Sequence, residues 1–289
     1  MTDFSFESPS DDIDPHSELE DRFACTRRIV DLTHPENSAD GAEGSVLEDL
    51  PAHPEIVELI ESLLAANPDL QPSCDQQTSE RAHTVYVPEH YEAGYAYPLI
   101  VWFHRDGASE SELDRVMPVI SDRNYIGVAL RGDVEASTGH GWSPDAGTSP
   151  ELLQDVRAIV TGLRRQYHIH SERIYLAGFG SGATTAVQLM LAKPEWFGGV
   201  ISFSGDLPKE NGALLPVEEL KDKRILLATS LGSKSSRVGD VVAAGRLLYS
   251  AGMQVGTRIY QDSENSPTVK MLRDVDSWLM DEICGSVKV

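Results

Sequence analysis

Residues Arg173 to Ala183, RIYLAGFGSGA, hold the clearest chemical signal in the chain: an apolar strand, a glycine-rich turn and a helix start. In the pattern G-x-S-x-G, this arrangement lifts a serine onto a sharp, strained turn at the top of a parallel sheet, where its hydroxyl attacks an acyl carbon. The frame here is Gly178-Phe179-Gly180-Ser181-Gly182, so both outer glycines are present and Gly180 stands where the serine belongs. The hydroxyl also needs a base, and the chain order of this pattern puts its histidine after the turn. All nine histidines lie at or before His170. The sequence therefore predicts the frame of acyl-transfer chemistry with neither nucleophile nor base in the standard place.

Other readings of the same residues are weaker. Ser181 is the fallback nucleophile, one residue late in the turn, but its position fits the opening of the following helix better. Asp206, Asp240, Asp262 and Glu264 follow the turn, yet an ordinary carboxylate with pKa near 4 is a weak base for serine, and solvation is their expected role. GFGSGA also satisfies G-x-G-x-x-A, the form of a dinucleotide fingerprint; the acid that should end the next strand is absent, because GGVISFS ends in Ser-Gly. His168 and His170 are spaced like metal ligands but have no cysteine or third histidine nearby, so no metal is expected. His104-Arg105-Asp106-Gly107 matches a kinase catalytic-loop fragment by chance, since no glycine-rich loop or D-F-G accompanies it.

The elements that must position these residues are readable from Ala82 onward. HTVYVP, PLIVWFH and YIGVALR read as strands. Ser149-Pro150 opens a helix whose apolar face is Leu153, Val156, Ile159, Val160 and Leu163. RIYLAG, GGVISFS and RILLATS follow as buried strands, with helices predicted over 182–193 and 238–251, then VGTRIY and a helix from Val269 to Met280. Such alternation predicts a mostly parallel sheet with helices on both faces.

The 289 residues divide unevenly in charge. Of a net charge of −22, residues 1–80 carry 20 acids against 3 bases, and the rest is close to ordinary. We therefore expect an acidic, partly disordered arm over 1–80 and a folded domain over 81–289. One amphipathic helix is expected in the arm near 54–66, where Ile56, Leu59, Ile60, Leu63 and Leu64 recur at helical spacing and Asn67-Pro68 ends the run. Its polar face carries Glu55, Glu58 and Glu61, which favours docking on the body over a membrane surface. An acidic arm repels nucleic acid and anionic lipid, and suits a basic protein partner or solubility. Cys25, Cys74 and Cys284 are too scattered for a disulfide framework, and no secretory or membrane-spanning segment is evident, so a cytoplasmic location is expected.

Residues from about 80 to 289 resemble the α/β-hydrolase superfamily, in its phospholipase/carboxylesterase or dienelactone-hydrolase-like branch. The resemblance rests on YPLIVWFHRDGASE, on SERIYLAGFGSGA and on FGGVISFSGDLP. It implies an α/β-hydrolase fold and hydrolysis of a carboxylic ester or thioester through an acyl-enzyme, with no cofactor. The chain departs from the family at three positions: Gly180 at the nucleophile, Ser235 or a neighbour at the acid in LGSKSSRV, and Glu264 or Asn265 at the histidine in YQDSENS. The expected function is therefore that of a non-catalytic homologue with a binding or regulatory role. The alternative is an active esterase or thioesterase with rearranged catalytic residues. The expected ligand pocket gathers His104, Arg105, Ser181, His140 and Trp142 around a small acyl or anionic ligand, although Asp106 opposes an anion beside Arg105.

Overall fold

Strand β2 (Tyr97–Phe103) is buried along its whole length, and its side chains divide by parity. Leu99, Val101 and Phe103 enter one hydrophobic cluster, and Ile100 and Trp102 enter another. A strand apolar at every position needs cover on both faces, and this two-sided burial organises the rest of the molecule. The computed structural model describes residues 79–207, 217–233, 236–261 and 266–285. The expected arm with its helix near 54–66, together with Ser235, Asp262, Glu264 and Asn265, lies outside the described residues.

The other strands are β1 (His83–Tyr86), β3 (Ile126–Leu130), β4 (Val134–Ala136), β5 (Gly139–Gly141), β6 (Ile169–Phe179), β7 (Gly199–Phe203), β8 (Arg224–Ser230) and β9 (Gln254–Tyr260). Together with β2, six of them form one sheet in the order β1-β3-β2-β6-β7-β8-β9. Every pairing in it is parallel except β1 with β3. β4 and β5 make a separate hairpin.

Helices α2 (Pro150–Gln166), α3 (Ser181–Ala192) and α5 (Val238–Ser250) cover one face, contributing Leu152, Val156, Val187, Leu189, Val241 and Leu248 to the first cluster. Helices α1 (Leu113–Ile120) and α6 (Val269–Gly285) cover the other through Val116, Met117, Leu272, Val275 and Leu279. The short α4 (Val217–Leu220) precedes β8. The predicted cap of α2 is in place: the Ser149 hydroxyl accepts from the Leu152 N–H at 3.1 Å, and Pro150 fills the first helical position. No helix among the described residues is long and apolar enough to cross a membrane.

Helix α1 and strand β6, like the β4–β5 hairpin, exceed the sequence reading. Helix α1 carries Pro118 in its interior, which masks it in a propensity reading. Strand β6 starts at Ile169, four residues before the apolar run, because its first half pairs only through Tyr97 before the register shifts between Tyr97 and Leu99.

Candidate functional site

The site is built where the sheet changes direction of winding. From β2 the chain moves to β3 on one side, while β6, on the other side of β2, leads on to β7 and β8. A crevice opens at such a point outside the carboxyl ends of the central strands, and ligands of open α/β sheets bind there. Here those ends are His104–Gly107 after β2 and Gly180–Gly182 after β6.

Gly180 has φ 60° and ψ −125°, a backbone conformation that side-chain-bearing residues rarely adopt. Its N–H donates to the Phe203 carbonyl at 2.8 Å, and its carbonyl accepts from the Thr184 N–H at 3.1 Å. The sharp strand-to-helix turn is therefore intact although the serine is absent. The flanking glycines are there for contact. A Cβ on Gly182 would lie 2.2 Å from the Phe103 carbonyl oxygen and 2.4 Å from that of His104, and one on Gly178 would lie 2.7 Å from the Gly182 carbonyl carbon. Helix α3 thus starts directly against the end of β2. A Cβ on Gly180 would meet nothing within 4 Å, so the position keeps open space for a side chain.

Ser181 opens α3, and its Oγ donates to Asp106 Oδ1 at 2.6 Å. This is the direct side-chain link between the two strand ends. His104 is fully buried. Its Nε2 accepts from the Gly132 N–H at 3.0 Å, which leaves Nδ1–H to donate to the Arg105 carbonyl at 2.9 Å and fixes a neutral tautomer. Burial holds its pKa below the usual histidine value, against the opposing pull of the Arg105 carbonyl and of Glu112 and Glu110. With both ring nitrogens engaged, His104 is structural in this arrangement.

Trp142 is buried beside it, ring centroids 5.2 Å apart, and its Nε1–H donates to the His104 carbonyl at 2.9 Å. His140 sits on β5, half-buried; its N–H donates to the Ala108 carbonyl and its carbonyl accepts from the Gly107 N–H, so the hairpin holds the loop after β2. Arg105 turns to Glu112, its Nε 3.2 Å from Oε1 and its backbone N–H 3.3 Å from Oε2, while Oε2 also accepts from the Trp102 indole at 3.1 Å. The guanidinium expected to attract an anion is thus already matched by a carboxylate.

Of the five expected pocket residues, His104, Arg105 and Ser181 come from the two strand ends, and Trp142 and His140 pack against the loop after β2. Sequence reasoning missed Asp106 as the partner of Ser181 and Glu112 as the partner of Arg105. No local signal pairs residues 75 positions apart, although Asp106 directly follows the apolar strand and Glu112 opens the next helix. Among the described residues, no group of three His, Cys, Asp or Glu side chains is placed to hold a metal ion.

Residues 140–281 match the sequence profile of the Phospholipase/Carboxylesterase family. Over 123 residues the chain is 30% identical to NocK of Nocardia uniformis subsp. tsuyamanensis, a proposed esterase by its name; the match covers 41% of this chain and spans only 36% of that relative. Among solved structures, the Bacillus cereus carboxylesterase superposes with a TM-score of 0.57 at 14% identity, covering 71% of this chain and 96% of that one. The carboxylesterase from Mesorhizobium loti gives 0.55 at 17% identity, with the same coverages of 71% and 96%. At such identities a structural likeness speaks for the fold, and the profile match speaks for the branch. The chain has the α/β-hydrolase fold, and its residues 140–281 are similar to the phospholipase/carboxylesterase family.

Proposed function

We propose that this chain is a non-catalytic homologue of the esterases, with a binding or regulatory role for the crevice at the ends of β2 and β6. The observation that carries this reading is Gly180: it stands in the nucleophile's turn with the backbone of that turn and no side chain. Two further facts support it. No histidine follows His170 in the sequence, and His104, whose carbonyl packs against Gly182, spends both ring nitrogens on backbone groups. The ligand in this reading is a small acyl molecule at the crevice, since Glu112 already matches the Arg105 guanidinium and Asp106 already holds the Ser181 hydroxyl.

A second reading, that of an esterase with rearranged groups, draws its support from the short Ser181–Asp106 hydrogen bond, which gives a hydroxyl a carboxylate partner. One experiment separates the two: turnover of short p-nitrophenyl esters by the wild-type chain and by Ser181→Ala in parallel. The non-catalytic reading expects no turnover above the buffer rate in either protein. Ordinary enzyme turnover that disappears in Ser181→Ala would replace it with the second.

A further inference from the structure

The last strand of the sheet, β9, forms an open edge, and its pairing with β8 fixes where its backbone groups point. The Gln254 N–H donates to the Lys223 carbonyl at 2.8 Å, and the Tyr260 carbonyl accepts from the Leu231 N–H at 2.9 Å, so the even residues of β9 bond inward. The N–H and carbonyl groups of Val255, Thr257 and Ile259 therefore point away from the sheet. At the opposite edge β1 is four residues long, and the chain ahead of it is tied to the body: the Ser79 hydroxyl donates to Asp155 Oδ1 at 2.7 Å, and Arg81 Nε pairs with Asp155 Oδ2 at 2.5 Å. Of the two edges, β9 offers the longer ladder.

Side chains on both sides of this edge are exposed. A Cβ on Gly245 of α5 would lie 3.6 Å from Val255 Cγ1 and 4.0 Å from Thr257 Oγ1, which puts the odd residues of β9 on the α5 face. Val242 and Tyr249, three before and four after Gly245, share the flank that overlooks them. With Ile259 they are three of the eight large apolar side chains exposed among the described residues, and Tyr249 is 73% exposed. A Cβ on Gly256 would lie 3.3 Å from Trp278 Nε1, so Arg258 and Tyr260 are on the α6 face. There the Tyr260 hydroxyl donates to Asp274 Oδ2 at 2.8 Å, Lys270 Nζ lies 5.9 Å from the centre of the Tyr260 ring, and Asp281 follows Trp278 by one turn toward the Gln254 end. Among the described residues, Arg258, Lys270 and Asp281 have no ion-pair partner.

We propose that a second copy of this chain adds its β9 antiparallel to this edge, about a two-fold axis at Thr257. In that register Thr257 pairs with its own counterpart, and Val255 and Ile259 pair with Ile259 and Val255 of the second copy; each pair joins two outward-pointing residues and exchanges two N–H···O bonds. A slip of one residue would face each of them with a residue bonded inward, and a slip of two would lose a pair. On the α5 face, Ile259 meets Val255 of the second copy, and because α5 runs back from the Ile259 end to the Val255 end, Val242 meets Tyr249 of the second copy. On the α6 face, the Tyr260 end of one strand meets the Gln254 end of the other, which brings Lys270 and Arg258 to Asp281 of the second copy. Arg258 Nη1, which donates to the outward Thr257 carbonyl at 3.1 Å, releases that carbonyl to the ladder. Arg246, exposed on the same flank of α5 as Tyr249, is the like charge that this pairing sets near its own counterpart. Strand β9 is about 23 Å long and, with a helix on each side, the edge is about 30 Å deep; the resulting strip of roughly 700 Å² per partner is within the range of stable dimers. The proposal is independent of the chemistry at Gly180.

Light scattering after size-exclusion chromatography of the full-length chain, over a series of concentrations, tests it. The wild type should run at the mass of a dimer. Thr257→Pro removes an N–H that points away from β8, so it spares the bonds between β8 and β9 and should give a monomer; Ile259→Lys, at an exposed position, should do the same. Arg258→Glu/Lys270→Glu should weaken the dimer at least about tenfold, adding Asp281→Lys should restore it, and Arg246→Gln should tighten it. A wild-type chain at monomer mass throughout the series would overturn the proposal. So would dimer mass that survives both Thr257→Pro and Ile259→Lys in cooperatively melting proteins, which would place the contact elsewhere. Failure of Asp281→Lys to restore the reversed pair would refute the register.

Discussion

The Ser181 hydroxyl donates to the Asp106 carboxylate at 2.6 Å, joining the first residue of α3 to the loop after β2. The two residues are 75 positions apart in sequence, and Gly182 holds them close by letting α3 start against the Phe103 and His104 carbonyls. The bond commits the one hydroxyl of the Gly178–Gly182 turn to an acceptor, and that acceptor is a carboxylate rather than an imidazole.

Fluorophosphonate probes should therefore leave the protein unlabelled. They require a serine whose proton is taken by a competent base, and a half-buried Ser181 bonded to an exposed Asp106 does not supply one. Intact-mass spectrometry after incubation with the probe is the check. Stoichiometric labelling mapped to Ser181 would overturn the non-catalytic reading.

Gly180 and Gly182 should respond differently to a methyl group. At Gly180 the added Cβ meets nothing within 4 Å, so Gly180→Ala and Gly180→Ser should each cost only the backbone strain, about 1 to 3 kcal/mol. At Gly182 the Cβ would sit 2.2 Å from the Phe103 carbonyl oxygen, and α3 must move off β2, for a cost above about 3 kcal/mol. Urea denaturation of the three variants measures the order. A Gly182→Ala variant as stable as Gly180→Ala would show that the close approach is soft.

Restoring the hydroxyl alone should not restore turnover. Gly180→Ser has room for its side chain, but no histidine of this sequence follows His170. Ester hydrolysis should stay near background in the single variant, and Gly180→Ser/Ser235→Asp/Glu264→His is the combination expected to raise it. Ordinary enzyme rates from Gly180→Ser alone would reveal a base already in place.

Stability should fall as the solution becomes mildly acidic, and His104 should be one cause. Burial lowers its folded pKa below 6.5, so below that pH the unfolded chain binds a proton that the folded chain refuses. The fold therefore loses stability as pH drops from 6.5 toward the lowered value, while above 6.5 the contribution is constant. Glu110 and Asp133 act lower in pH. Burial raises both, but Arg131 on Glu110 and Ser143 on Asp133 outweigh it and hold them below their usual values, so the stability they supply is lost only as those low pKa values are crossed. His104→Asn keeps a donor and an acceptor without the titration. Its urea midpoint should depend less on pH between 6.5 and about 5 than that of the wild type, whatever its absolute stability; equal slopes would refute the assignment.

The elements that sequence reading reached are those whose signal is local. The parity of β2, the Ser149-Pro150 start of α2 and the glycine frame around Gly180 each declare themselves within a few residues. Helix α1 was hidden by Pro118, and the β4–β5 hairpin by its exposed, glycine-flanked residues, which offer no apolar alternation. Within the site, Gly180 was legible because its turn has a fixed pattern. The pairings Ser181–Asp106 and His104 with Gly132 were not, because each depends on which loop the sheet order brings to the end of which strand, and Arg105–Glu112 was not, because it depends on the path of the seven-residue loop between them.

The tie between Asp155 and the pair Ser79 and Arg81 has a mechanical side. Arg81 also donates from Nη1 to the Arg131 carbonyl, and the Arg131 N–H donates to the Ala82 carbonyl, so the segment ahead of β1 is fastened to both α2 and the end of β3. Tension transmitted along the backbone toward His83 is taken up first by these fasteners. The antiparallel edge strand β1, which on its own would unzip from β3 one bond at a time, is thereby placed behind a clamp that must be torn loose before the zipper can start.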